Sequence, residues 1–140
     1  MKIPNENDWQ GIAEDLDYQN AYKNFFGKSI EEAQELFLEG TLCYHEDLMW
    51  MPMIPFQYYI HAYINYLLSD SSKEDTDYAS CFLGLIEFLL EHEGLEYLGS
   101  AQTQVYETVK FILNHGEWFD WDEKNYGSLQ TRAEKILNFH

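Results

Sequence analysis

Residues 56–68 read FQYYIHAYINYLL, a run with no formal charge when His61 is neutral, entered through Pro52 and Pro55. A helix that is apolar on nearly all sides has no face to offer water, so this one belongs in the middle of a bundle. Its few polar side chains are not scattered. Gln57, His61 and Asn65 recur at i, i+4 and i+8 and form a single stripe. Buried polar groups are paired, so the stripe is expected to be an interhelical hydrogen-bond network in which His61 is buried, bonded to a neighbouring helix and free of metal. The alternative is a small-molecule enzyme or sensor pocket with His61 as general base. That chemistry needs a nearby nucleophile or second carboxylate, which the sequence does not identify.

Working outward, residues 75–92 form a second helix with little room for a polar face, since Tyr78, Cys81, Phe82, Leu83, Leu85, Ile86, Phe88, Leu89 and Leu90 all fall within it. The expected core is Tyr59, Ile60, Tyr63, Phe82, Leu85, Ile86 and Leu89. On the N-terminal side a helical region covers about residues 8–26, broken near 14–17, with Ile12, Leu16, Ala21, Tyr22, Phe25 and Phe26 inward and Gly27 as its stop. Ser29 with Glu32 three residues on is a capping box, followed by an inward Ile30, Ala33, Leu36 and Phe37 and closed by Gly40. The other face of that helix carries Glu31, Gln34, Glu35 and Glu39. Ser100 caps a helix running to His115 with Val105, Val109 and Ile112 inward, and Ser128 caps the last, with Leu129, Ala133, Ile136 and Leu137 on one side.

Strand-like alternation bounded by turn residues does not occur, and no Pro/Gly/Ser-rich linker or solenoid repeat divides the 140 residues. The expectation is an all-α fold: one domain over residues 1–140, an irregular helical bundle of about five to seven helices. A hydrophobic content of 46% with 17% aromatics excludes a disordered acidic tail, because such tails lack the apolar surface that offsets ordering entropy. The N-terminal MKIPNENDWQ has no apolar stretch resembling a secretory signal, and no uncharged apolar run approaches bilayer length. A cytoplasmic protein without membrane contact is expected. Cys43 and Cys81 lie in apolar surroundings and read as small hydrophobes rather than a disulfide framework.

Charge is the strongest functional signal. The net charge is −17. Between Ser29 and Val109 stand fifteen acids and one base, Lys73. Such a field repels nucleic acid and anionic membranes and steers basic partners inward. Solubility alone is the bland explanation of the same acidity.

Motifs for chemistry fail when tested against their mechanics. Gly27-Lys28-Ser29 lacks the glycine five residues before and the preceding strand that a phosphate-binding loop needs, and helix stop followed by N-cap accounts for all three residues. His45-Glu46-Asp47, His61 and Glu91-His92-Glu93 carry no recognised metal-ligand spacing. No cofactor or metal is expected. The segment 117–123, EWFDWDE, mixes three aromatics with four carboxylates on a connection, where adjacent residues cannot all face one core. With the 70–77 loop it is the candidate interface. The residues expected to meet a basic protein partner are Glu46, Asp47, Asp70, Glu74, Asp75, Asp77, Glu117, Trp118, Asp120, Trp121 and Asp122, with the two tryptophans as anchors.

Two stretches, residues 8–37 and 46–69, resemble those of a group of small uncharacterised bacterial proteins. The resemblance rests on Phe26-Gly27-Lys28-Ser29 followed by Glu31-Glu32-Ala33, and on the turn from Glu46 to Met51. It implies no catalytic motif. In size and acidity the chain is also similar in physical type to immunity proteins, which neutralise antibacterial toxins in the cell that makes them. That likeness implies a non-enzymatic inhibitor of a basic toxin domain; a nucleic-acid mimic or a general interaction domain would share its charge.

Overall fold

A computed structural model describes residues 1–10, 15–39 and 43–140, without the side chain of Cys43. Ile12, the Gly40 helix stop and the packing of Cys43 lie outside the described residues. About 73% of the described residues are helical and none is in a strand, so the fold is all-α. The α-helices are α1 (Leu16–Phe25), α2 (Ile30–Leu38), α3 (Cys43–Met49), α4 (Met53–Leu67), α5 (Thr76–His92), α6 (Gln102–Asn114), α7 (Glu123–Tyr126) and α8 (Leu129–Leu137). Six of them have nine residues or more; α3 and α7 are short connecting turns of helix.

The uncharged segment forms α4, which packs against α2, α3, α5 and α6 and so occupies the centre. Phe56, Tyr59, Ile60, Ala62, Tyr63 and Leu67 on it are fully buried, as are Phe82 and Ile86 on α5, with Leu85 and Leu89 almost so. Every residue of the expected core is therefore buried. Because α4 is built on tyrosines, each buried ring brings a hydroxyl that must find a partner. The hydroxyls are spent on backbone carbonyls of neighbouring elements: Tyr59 donates to Phe25 O at 2.8 Å and to Lys28 O at 2.7 Å, and Tyr63 donates to Tyr78 O at 2.6 Å. Tyr58 Oη accepts from Ile30 N at 3.2 Å. These bonds fix α4 to the α1–α2 corner and to the start of α5. Rings fill the space between, with Phe37 stacked on Tyr63 at 4.8 Å and Phe25 edge-on to Tyr59 at 5.1 Å.

Local signals in the sequence translate directly at three helix starts. Ser29 and Glu32 close their capping box, Asp75 caps α5 through Tyr78 N, and Ser128 caps α8 through Thr131 N. Gly27 ends the α1 region at φ +79° with nothing near its missing Cβ, so its conformation alone requires glycine there. Two expectations are corrected. Ser100 lies inside a 3-10 turn, Gly99–Ala101, and α6 begins at Gln102 with Ala101 already in helical geometry, which leaves no extended residue for a serine to cap from. Leu16 is the first residue of α1 and is 70% exposed rather than inward.

Candidate functional site

The 70–77 loop and the 117–123 segment, far apart in sequence, form one seam. Glu74 N donates to Trp118 O at 2.7 Å. Thr76 Oγ1 donates to Asp120 O at 2.7 Å and also contacts Phe119 O, and the Tyr126 hydroxyl donates to Asp77. Along this seam Asp70, Glu74, Asp77, Glu117, Asp120 and Glu123 are exposed. Glu74 and Asp120 hold left-handed backbone, φ 65° and 55°, where non-glycine residues are uncommon. The seam presents carboxylates outward while its backbone and hydroxyls close it inward.

Not every candidate acid is on that surface. Asp75 is half-buried, capping α5 and accepting from Tyr66 Oη at 2.5 Å. Asp122, also half-buried, caps α7 and accepts from Asn125 Nδ2 at 2.7 Å. Asp47 is only 7% exposed, accepting from Asn24 Nδ2 at 2.7 Å, so it ties α3 to α1 and is withdrawn from any partner. Burial pushes its carboxyl above the usual aspartate range, opposed by the Asn24 hydrogen bond. Its neighbour Glu46 is exposed.

Both candidate anchors are engaged within the fold. Trp118 donates its indole N–H to Ser72 Oγ at 3.1 Å and has Lys73 over its ring at 5.8 Å. Trp121 donates to Gly127 O at 2.9 Å beneath Arg132. Each ring is half-buried. The aromatic that does reach solvent is Trp50, 41% exposed at the turn between α3 and α4, with Met53 and Ile54 exposed just beyond it. The sequence places its candidate anchors elsewhere, at Trp118 and Trp121. The signal for this turn was available: Trp50, Met51, Met53 and Ile54 cluster around Pro52 with no charge among them.

Trp50 lines a groove of about 460 Å3 together with Tyr18, Met49, Phe88, Glu93 and Tyr97. The His92 ring stacks on Phe88 at 4.0 Å along one wall, and Tyr97 is held by donation to Met51 O. Burial, then the charge of Glu93, pushes the Tyr97 hydroxyl well above its ordinary pKa, so the ring stays neutral.

The Gln57, His61, Asn65 stripe lies at the outer edge of α4. Gln57 Nε2 donates to Tyr97 O at 3.2 Å, His61 is half-buried without a hydrogen bond among the described residues, and Asn65 is exposed. The expected buried, bonded His61 is thereby corrected: the stripe is polar because it meets water. Partial burial lowers the His61 pKa. Cys81, a half-buried free thiol, is pushed up by burial and then by Asp77, which disfavours the nucleophilic thiolate. Among the described residues no three His, Cys, Asp or Glu side chains come together as a metal site. No helix among them is long and apolar enough to cross a membrane.

No protein-family model matches the chain, and neither a curated protein nor a solved structure does.

Proposed function

We propose that this protein is an immunity-type inhibitor, which binds a basic antibacterial toxin domain in the cytoplasm and covers its active surface. The observation that carries the reading is the seam: two acidic segments about 45 residues apart are bonded to each other so that six carboxylates share one exposed surface. Lys73 is the one exposed base within these two segments, so the surface is predominantly negative, and such a surface accelerates encounter with the opposite sign and disfavours partners of its own. Among the described residues three ion pairs join acids of residues 29–109 to bases outside that stretch, Lys110 with Glu107, Arg132 with Glu87 and Lys135 with Glu91, and none of them involves an acid of the seam. The field is thus left largely uncompensated.

The test is protection. The chain is expressed with candidate toxic domains, beginning with any encoded beside its own reading frame, and growth is followed alongside titration of the purified pair. Restored growth with inhibition saturating at a fixed stoichiometry is the expected result. Unrelieved toxicity, or binding that persists after the partner's basic surface is neutralised, would sink the reading.

A further inference from the structure

The geometry points to the Trp50 groove as the receptor for an arginine-bearing loop of the basic partner, the guanidinium held among the rings of Tyr18, Trp50 and Phe88 and paired with Glu93. This rests on the reading that the chain binds a basic protein, and it assigns the anchoring site that the seam does not supply.

The lining decides the occupant. It combines the rings of Tyr18, Trp50, Phe88 and Tyr97 and one exposed carboxylate with no lysine or arginine, and the remaining base, His92, has its ring stacked on Phe88. Aromatic faces attract cations through the ring quadrupole, and a carboxylate beside them supplies the counter-charge. Arginine fits such a place better than lysine, because its planar, weakly hydrated guanidinium stacks on rings while its fork meets a carboxylate. The site is an open groove of about 460 Å3, room enough for a side chain delivered on a loop. The exposed Met53 and Ile54 beside it give the loop's apolar flanks something to cover.

Position matters as much as lining. Asp77 and Glu93 stand at opposite ends of α5, sixteen residues apart, which is about 24 Å along a helix. At about 100° per residue the two acids are also about 160° apart around the helix, so a partner seated on the seam meets the groove only through a loop that reaches round the end of α5. Steering and anchoring are then separate in space.

The four tryptophans report the two places independently: Trp50 in the groove, Trp118 and Trp121 at the seam, and fully buried Trp9 as a control for folding. The probe is the capped peptide acetyl-Gly-Leu-Arg-Leu-Gly-amide, titrated at about 150 mM salt while the indole N–H resonances are followed by NMR. The same peptide with citrulline for arginine keeps the shape and removes the charge. The expected result is a saturable shift of Trp50 alone, with the citrulline peptide and the Glu93→Gln variant each weakening binding by about threefold to thirtyfold. An unmoved Trp50, equal binding of the two peptides, or equal binding by Glu93→Gln overturns the assignment. Shifts confined to Trp118 and Trp121 overturn it too, while leaving the basic-partner reading standing; failure of protection by the unaltered chain would remove that reading instead.

Discussion

The Arg132 guanidinium lies over the Trp121 ring, its carbon 5.7 Å from the centroid. The same group pairs with Glu87 at 3.1 Å and donates to Ser80 Oγ at 2.8 Å and Tyr126 O at 3.3 Å, so one side chain joins α5, α7 and α8. Arg132→Ala leaves Glu87 and the Ser80 hydroxyl without their partner and is expected to cost about 2–4 kcal/mol, read by urea denaturation. Arg132→Lys keeps the charge but not the fork, and is expected to recover less than half of that loss. A neutral Arg132→Ala would mean that the hub is ornamental.

Gly99 is fixed by close approach. At φ +48° its missing Cβ would stand 2.2 Å from Gln57 Nε2, the group that donates to Tyr97 O. Gly99→Ala therefore combines left-handed strain with displacement of a hydrogen-bonded side chain. A loss of about 1–3 kcal/mol in thermal or urea unfolding is expected. In the Gln57→Ala background the clash disappears and only the conformational part should remain, so the two substitutions should be non-additive.

What could be read before any coordinates is decided by how local the cause is. Ser29 with Glu32 is a four-residue device and appears as expected, and the charge-free α4 sits where its composition requires. Trp121 was legible as an aromatic on a connection, but not as one covered by Arg132, because that contact depends on how α7 and α8 fold back over α5. The polar stripe on α4 had the right members and the wrong environment: a period of four gives a common face, and only the packing of other helices says whether that face meets protein or water. Ser100 failed for a still more particular reason, since Gly99 brings the chain into α6 already coiled.

Glu74 stores backbone strain on the acidic seam. Its φ of 65° has no Cβ-free residue to accommodate it, and its N–H is committed to Trp118 O. Glu74→Gly relieves the conformation, whereas Glu74→Gln removes only the charge. The glycine variant is expected to exceed the glutamine variant by about 0.5–1 kcal/mol in stability despite its greater unfolded-state entropy. Equal stabilities would mean the seam tolerates this geometry at no cost.

Asp47 gives the pH dependence a definite sign. Burial raises its carboxyl pKa in the folded protein, with Asn24 opposing and Glu46 and Asp17 adding to the rise. The native state then holds the proton more tightly than the unfolded chain, whose aspartates titrate near 3.9. From that value upward, stability falls as pH rises toward the native pKa, and the full penalty is present above it. Asp47→Asn keeps an acceptor for Asn24 and removes the charge. The variant is expected to be at least as stable as the parent at pH 7, with the parent gaining on it as pH falls to 4. A variant markedly weaker at neutral pH would show that the hydrogen bond to the carboxylate outweighs its desolvation.

Separating the seam from the groove predicts how binding kinetics divide. Charges on the seam act at a distance, so Asp120→Lys together with Glu117→Lys should lower kon by about tenfold at low salt and less at high salt, with koff little changed. Trp50 acts on contact, in a desolvated centre where aromatic anchors hold most of the binding energy; Trp50→Ala should raise koff by about tenfold to thirtyfold with kon nearly intact. Trp121→Ala distinguishes this arrangement from one anchored at the seam. With its ring beneath Arg132 and its N–H bound to Gly127, its loss should appear in the unfolding midpoint before it appears in koff. The measurement is a kinetic series over several ionic strengths against the purified partner. A salt-independent kon removes the steering role of the seam, and a Trp121→Ala effect on koff larger than that of Trp50→Ala returns the anchor to the 117–123 segment.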